Sequence, residues 1–142
     1  MNYHAPVLTV VAGIALAVGA QRASAQPSGV PPTAHQRTAD DIRRLIGTTG
    51  VTSYDITIGH GGFTAYIAPN GTITTRSGAI TDHGKWWIKS DGHFCTKYGT
   101  FNYGQKTCAL QYVNGNDVYS VQDGILVNVS HKRVPGNPEH LS

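Results

Sequence analysis

The sequence predicts an all-β protein with one short N-terminal helix, in which an antiparallel meander of about eight strands closes into a small up-and-down barrel. Three observations lead to this fold. From residue 51 onward, β-branched and aromatic residues, which favour strands, dominate a series of short segments. Turn signals separate these segments at intervals of roughly 8 to 14 residues. Closure into a barrel would remove the exposed edges that an open sheet leaves unpaired.

The first 25 residues are expected to be a cleaved signal peptide. A largely apolar run extends from Ala5 to Ala20, and the small residues Ala23-Ser24-Ala25 that follow match a signal peptidase site. The run is shorter than the roughly 20 apolar residues of a membrane-spanning helix, which argues against a permanent anchor. We therefore expect a periplasmic or secreted protein whose mature chain starts at Gln26.

A flexible arm and a short helix are predicted before the first strand. Residues 26–37 are rich in proline, glycine and small polar residues without a hydrophobic period, which is typical of a flexible segment. Thr38 suits the N-cap of a helix, Asp41 can bond back to that cap, and Gly47 suits the end of the helix. We expect this helix to act as a plug or lid on the sheet. Its apolar stripe consists of Ile42, Leu45 and Ile46.

The strands are predicted from the turns between them, because Asn, Asp and Gly adopt the positive φ of hairpin turns at the least cost. Turns are expected at residues 59–62, 70–71, 82–84, 91–92, 114–115 and 123–124. The strands between them span residues 51–58, 63–68, 72–76, 85–89, 93–98, 107–113, 118–122 and 125–130. Helix and strands form one lipocalin-like domain, residues 38–131, and two prolines favour an irregular tail over residues 132–142.

The two cysteines of the chain, Cys95 and Cys108, are predicted to form a disulfide. Exported proteins fold under oxidising conditions, and two thiols alone cannot complete a zinc site. If the cysteines lie directly opposite each other on neighbouring antiparallel strands, Lys97 pairs with Lys106. Two opposed lysines repel each other, so they either extend separately into water or share a small anion.

Composition and motifs argue against several classes of function. The chain has 11 Lys and Arg against 8 Asp and Glu, and the basic residues are scattered, unlike the clustered charge of nucleic-acid-binding proteins. Most carboxylates fall in predicted turns or the helix start, and Asp55 is the only one inside a predicted strand, so the carboxylate pair of a glycosidase is not expected. Neither a nucleophile motif nor a metal-binding spacing occurs. We expect no catalytic residue, no metal and no cofactor.

Aromatic side chains around the disulfide define a candidate binding surface. Trp86 and Trp87 are neighbours on a strand and therefore point to opposite faces, and Trp86 is expected to be buried because it shares a face with Ile88. Exposed aromatic clusters mark sugar, peptide or protein contacts, although these rings can equally cover the end of a barrel. The candidate surface consists of Trp87, Lys97, Tyr98, Phe101, Tyr103 and Lys106.

Several segments resemble the DUF995 family of small exported bacterial proteins. The resemblance covers about residues 39–141 and is most specific between the tryptophans and Cys95. It is carried by residues 66–72 (YIAPNGT), 82–86 (DHGKW), 91–95 (DGHFC), Cys108, Gly115, Tyr119, 136–139 (GNPE) and Leu141. The family has no established activity, so the resemblance implies export, a bacterial origin and a β-meander, and it assigns no functional residue.

These observations favour a non-enzymatic exported module that presents its loop aromatics or its interior to a small ligand or an envelope or extracellular protein. The alternative is a protease inhibitor that acts through residues 26–36, because the periplasmic inhibitors of secreted metalloproteases are also disulfide-containing eight-stranded barrels with an N-terminal arm. A small hydrolase is the third possibility. Neither nucleic acid nor a membrane is an expected partner.

Overall fold

The computed structural model describes residues 25–142, so the predicted signal peptide lies outside the described residues except for Ala25. Within the described range the chain forms one α-helix and nine β-strands. Their bounds are β1 His35–Gln36, α1 Ala39–Ile46, β2 Val51–Thr57, β3 Gly61–Ile67, β4 Thr72–Ser77, β5 Ile80–Ile88, β6 Phe94–Tyr98, β7 Lys106–Asn114, β8 Asp117–Gln122 and β9 Ile125–Pro135. A 3-10 turn, Phe101–Gly104, connects β6 to β7.

Strands β2 to β9 form a closed antiparallel barrel, which confirms the predicted fold class. Each strand pairs with the next one in sequence, and β2 pairs with β9 to close the barrel. Strand β1 is an addition that the sequence did not predict. It pairs with β7 at His35–Val113 and Gln36–Tyr112, beyond Ala109, where the pairing of β6 with β7 ends.

Helix α1 plugs one end of the barrel. The predicted capping box is present, because Asp41 N donates to Thr38 Oγ1 at 3.2 Å and Thr38 N donates to the Asp41 carboxylate at 3.0 Å. The apolar residues Ile42 and Ile46 are buried inside the barrel end. Their core neighbours are Val51, Ala65, Ile67 and Ile73. The opposite end, which we call the open end, is formed by the β2–β3, β4–β5 and β8–β9 turns and the 3-10 turn.

The disulfide is present and joins directly opposed positions of β6 and β7, as predicted. Its Cα atoms are 4.0 Å apart, and Lys97 lies opposite Lys106. The bond belongs to the outer wall of the barrel, in a row with Trp87, which pairs with Cys95.

Strand β5 begins at Ile80, whereas the sequence placed a turn at residues 82–84 and the strand start at residue 85. Asp82 and His83 instead pair with Thr75 and Thr74 of β4. Gly84 is needed for a close approach of two strands, because a Cβ at this position would collide with the Lys97 carbonyl oxygen. The β4–β5 connection lies at Gly78, which has a φ of 59°.

The chain after residue 130 is more ordered than predicted. Strand β9 continues to Pro135, so the predicted domain end at residue 131 is too early. A proline is tolerated at a strand end, where its missing N–H interrupts no further pairing. Beyond the strand, Leu141 is buried, and Glu139 accepts hydrogen bonds from Tyr54 Oη at 2.7 Å and Arg76 Nη2 at 3.0 Å.

The prediction of a flexible arm over residues 26–37 is wrong. Val30 and Ala34 are buried against Val121 on the outside of the barrel. Backbone N–H groups of these two residues donate to the carbonyl oxygens of Pro27 at 3.1 Å and Pro31 at 2.9 Å. The prolines therefore belong to ordered turns here. Ordered turns and disordered segments share the same composition, so composition alone did not distinguish them.

Candidate functional site

The inner wall of the barrel surrounds a cavity of about 610 Å³ that reaches the open end. This volume lies within the roughly 300–1,000 Å³ range of small-molecule binding sites. The apolar part of its lining is formed by Phe63, Ala65, Ile67, Ile73, Phe94, Tyr98, Ala109 and Val127. At the open end, Phe101 and Tyr103 of the 3-10 turn line the entrance, and Tyr103 is 94% exposed.

A polar cluster lies on one side of this cavity, on the paired strands β2 and β9. Ser53 Oγ donates to Asp55 Oδ1 at 2.8 Å and lies 2.9 Å from Ser130 Oγ. Arg133 Nε donates to the same Ser53 Oγ at 3.3 Å. Ser53 therefore bridges a buried carboxylate and a guanidinium, and both groups line the cavity.

The charges of the cluster are shifted by burial. Burial raises the pKa of Asp55, although the charge of Arg133 and hydrogen bonds from Ser53 and Ser130 oppose this rise. Burial also lowers the pKa of Arg133 to about 10; the charge of Asp55 opposes this lowering, and nearby Arg37 adds to it. Arg37 Nη1 donates to Gln111 Oε1 of the lining at 3.5 Å. Arg133 thus lies close to a carboxylate whose ionised form is disfavoured, and Arg37 lies close enough to Arg133 to affect its pKa.

One atom of the cluster is unsatisfied. Arg133 Nη1 is buried and has no hydrogen-bond partner among residues 25–142. A buried N–H of a charged group without an acceptor costs at least about 1–3 kcal/mol, so native proteins normally supply one. Because Arg133 lines the cavity, a bound molecule with an acceptor oxygen is one way to supply the missing partner.

Asp82 holds the 3-10 turn at the open end. Its Oδ2 accepts hydrogen bonds from Thr100 N at 2.8 Å, Thr100 Oγ1 at 3.0 Å and Phe101 N at 2.6 Å, and Oδ1 accepts one from His83 N at 2.8 Å. Burial alone would raise the pKa of Asp82, but the hydrogen bonds outweigh it and lower the pKa to about 2. Asn102 and Tyr103 adopt positive φ angles of 52° and 54° in the turn that this carboxylate holds.

The residues of the predicted binding surface lie on two different sides of the barrel wall, three inside and three outside. Tyr98, Phe101 and Tyr103 line the cavity. Tyr98 Oη accepts from Thr75 Oγ1 at 3.0 Å, and burial raises the pKa of Tyr98 to about 12. The remaining three residues, Trp87, Lys97 and Lys106, belong to the outer wall.

Sequence reasoning missed Arg133, Gln111, Ser53 and Ser130 as site residues. One sequence feature pointed to Asp55 as a site residue, because it was the only carboxylate inside a predicted strand. No sequence feature pointed to Arg133, because it fell in the predicted irregular tail.

The outer wall carries a row of three lysines. Lys85 of β5 lies opposite Lys97 of β6, which lies opposite Lys106 of β7, and all three are exposed. Like charges directly opposite one another are destabilising. An anion shared by neighbouring ammonium groups would relieve this repulsion.

Sulfate is expected to raise the Tm of the wild-type protein more than that of Lys97→Ala, because this substitution removes the middle charge of the row. Thermal unfolding in sodium sulfate, compared with sodium chloride at equal ionic strength, measures the effect. Lys89→Ala removes an exposed lysine outside the row and serves as the control, since sulfate also stabilises proteins generally. Equal responses of the two variants would contradict the shared-anion site.

Among residues 25–142, no helix has the length and apolar composition needed to span a bilayer. The described residues bring no three His, Cys, Asp or Glu side chains together as a candidate cation site. No family model, curated protein or solved structure matches the chain, so the resemblance to the DUF995 family stays a prediction.

Proposed function

We propose that this protein is an exported, non-enzymatic binding module that takes a small ligand into the interior of its barrel. The observation that carries the proposal is the cavity of about 610 Å³, which is plugged by α1 at one end, reaches the open end and contains a buried polar cluster. The exposed surface of the cavity is mainly apolar, as in most small-molecule sites, although many of its lining residues have polar side chains.

The non-enzymatic part of the proposal is supported by the lining of the cavity. Among the described residues, the lining includes one carboxylate, Asp55, and one imidazole, His60. Hydrolysis of a glycosidic bond uses two facing carboxylates. Asp55 is instead hydrogen-bonded to Ser53 within the wall.

Export is supported by the disulfide and by the N-terminal sequence. The Cys95–Cys108 bond is of the kind that forms in the periplasm or outside the cell. The alternative function, protease inhibition by residues 26–36, requires an arm that can enter a protease cleft. Burial of Val30 and Ala34 against the barrel does not favour that alternative.

Binding of a neutral fluorescent probe, N-phenyl-naphthylamine, tests the proposed function. The wild-type protein is expected to enhance the fluorescence of this probe, because transfer of the probe into an apolar cavity removes it from water. Thr107→Trp fills the cavity from the inner wall and is expected to weaken probe binding at least about tenfold. Thr107 is suited to this test because its side chain lines the cavity without full burial.

Ile56→Trp is the matched control, because Ile56 is an exposed residue of a barrel strand outside the cavity lining. This variant should bind the probe as the wild type does. Thermal unfolding of both variants verifies that they are folded. Absence of probe binding by the wild type, or equal loss in both variants, would refute binding in the interior.

A further inference from the structure

The orientation of Arg133 indicates what kind of group the cavity receives. Its Nε is held by Ser53 Oγ at 3.3 Å, which fixes the plane of the guanidinium, while the buried Nη1 has no partner among residues 25–142. A guanidinium is a planar donor that matches the two oxygens of a carboxylate. The free donor is therefore best satisfied by an acidic oxygen from a ligand.

The surrounding charges favour an anion with a single negative charge. Arg37 lies close enough to Arg133 to lower the pKa of Arg133, and it contacts the lining through Gln111. Ser53 hydrogen-bonds to both Asp55 and Arg133, so part of the Asp55 carboxylate is occupied by Ser53 and not by Arg133. A dianion such as a phosphate monoester would experience stronger repulsion from Asp55 than a carboxylate would.

The depth of the cluster indicates how a ligand enters. Ser53 pairs with Arg133 only two residues from Val51, which packs in the core cluster with α1. An acidic group at Arg133 therefore lies on the helix side of the cavity. The rest of the ligand extends toward Phe101 and Tyr103 at the open end, along a wall whose surface is mainly apolar but which also includes polar side chains.

We infer that the ligand is a monocarboxylate with an apolar body, which enters carboxylate first and is held by Arg133. This inference rests on the proposed function, since it names the ligand class of the same cavity. Hydrogen bonds to a charged group contribute roughly 1.5–3 kcal/mol, so the carboxylate should improve affinity about tenfold to a hundredfold over a neutral head group.

Displacement of bound N-phenyl-naphthylamine by four unbranched compounds that each contain ten carbon atoms tests the inference. The compounds are decanoate, decanol, decylamine and decyl phosphate. Decanoate is expected to compete at least about tenfold more strongly than the other three. Arg133→Gln should reduce competition by decanoate to the level of decanol, with each competition constant corrected for the variant's own affinity for the probe.

Lys132→Gln is the matched control, because it removes one positive charge from the neighbouring, exposed residue of the same strand. It should leave the preference for decanoate intact. The comparison of the four compounds on the wild-type protein needs no variant, so it stands even if Arg133→Gln does not fold.

The outcomes separate the two proposals. Equal competition by decanoate and decanol, or stronger competition by decylamine or decyl phosphate, overturns the carboxylate inference while binding in the cavity stands. Equal loss of decanoate binding in Arg133→Gln and Lys132→Gln also overturns the carboxylate inference. Positive charge on this strand would then attract decanoate without direct contact between Arg133 and the carboxylate. Failure of the wild type to bind the neutral probe overturns the proposed function itself.

Discussion

Replacement of Trp86 by alanine is expected to lower the free energy of unfolding by roughly 3–5 kcal/mol, which corresponds to a fall in Tm on the order of 10 °C. Trp86 packs against the core cluster beneath α1 and stacks on Phe94 with ring centroids 5.8 Å apart. Its Nε1 donates to the Ala68 carbonyl oxygen at 2.8 Å, which ties β5 to the β3–β4 turn. The substitution therefore removes core packing and leaves a carbonyl group without its donor.

Trp87→Ala is the matched control, because it truncates the same side chain one residue away on the outer wall. Both tryptophans are only partly buried, so Trp86 is less enclosed than the sequence predicted, but Trp87 lies in a row with the disulfide, outside the core cluster around α1. Its loss should cost far less. Chemical denaturation of both variants measures the difference in the free energy of unfolding. Equal large losses would mean that the two sides of β5 contribute equally to stability.

Replacement of Asp82 by asparagine is expected to destabilise the protein by about 3 kcal/mol at neutral pH, because hydrogen bonds to a charged acceptor are lost. Both carboxylate oxygens accept from N–H groups, of His83 on one side and of Thr100 and Phe101 on the other. An amide can supply only one such oxygen, and its NH₂ group would face a donor.

The effect of this substitution should depend on pH with a defined sign. The pKa of Asp82 is lowered from 3.8 to about 2 in the folded protein, so its stabilising effect is present above the unfolded value. That effect is lost as the pH falls through the range between these two values. The Tm difference between wild type and Asp82→Asn should therefore be large at pH values near 6, shrink as the pH falls, and disappear only below the folded pKa of about 2.

Asp123→Asn is the control for this experiment. Asp123 is exposed and has a φ of 50°, a conformation that asparagine also tolerates, so its Tm should stay close to that of the wild type at every pH. A constant difference between wild type and Asp82→Asn across the acid range would contradict the assigned role of the Asp82 carboxylate.

The parts of the fold that local sequence specifies could be predicted. The hairpin β6–β7 is one example, because its two cysteines lie close in sequence and their opposition fixes the pairing of Lys97 with Lys106. The capping box of α1 is another, since both of its members lie within one helical turn. In each case the interacting groups are only a few residues apart, so a short motif contains the whole interaction.

The binding site could not be predicted in the same way. Asp55 and Arg133 meet because β2 pairs with β9, and a register shift between Tyr54 and Asp55 changes which residues face the interior. Nothing near either residue specifies that shift. The course of residues 26–37 was missed for a related reason, since Val30 is buried only by contact with strands far along the chain.

The seam between β2 and β9 also determines when the interior of the barrel is complete. Thr52 Oγ1 donates across it to the carbonyl oxygen of Gly136, which is 84 residues further along. Contacts of such long range form slowly during folding, and until β9 arrives two strand edges remain open to aggregation. Strand β9 completes the barrel and also supplies Arg133. A nascent or truncated chain that lacks this strand therefore has neither a closed interior nor the guanidinium within it.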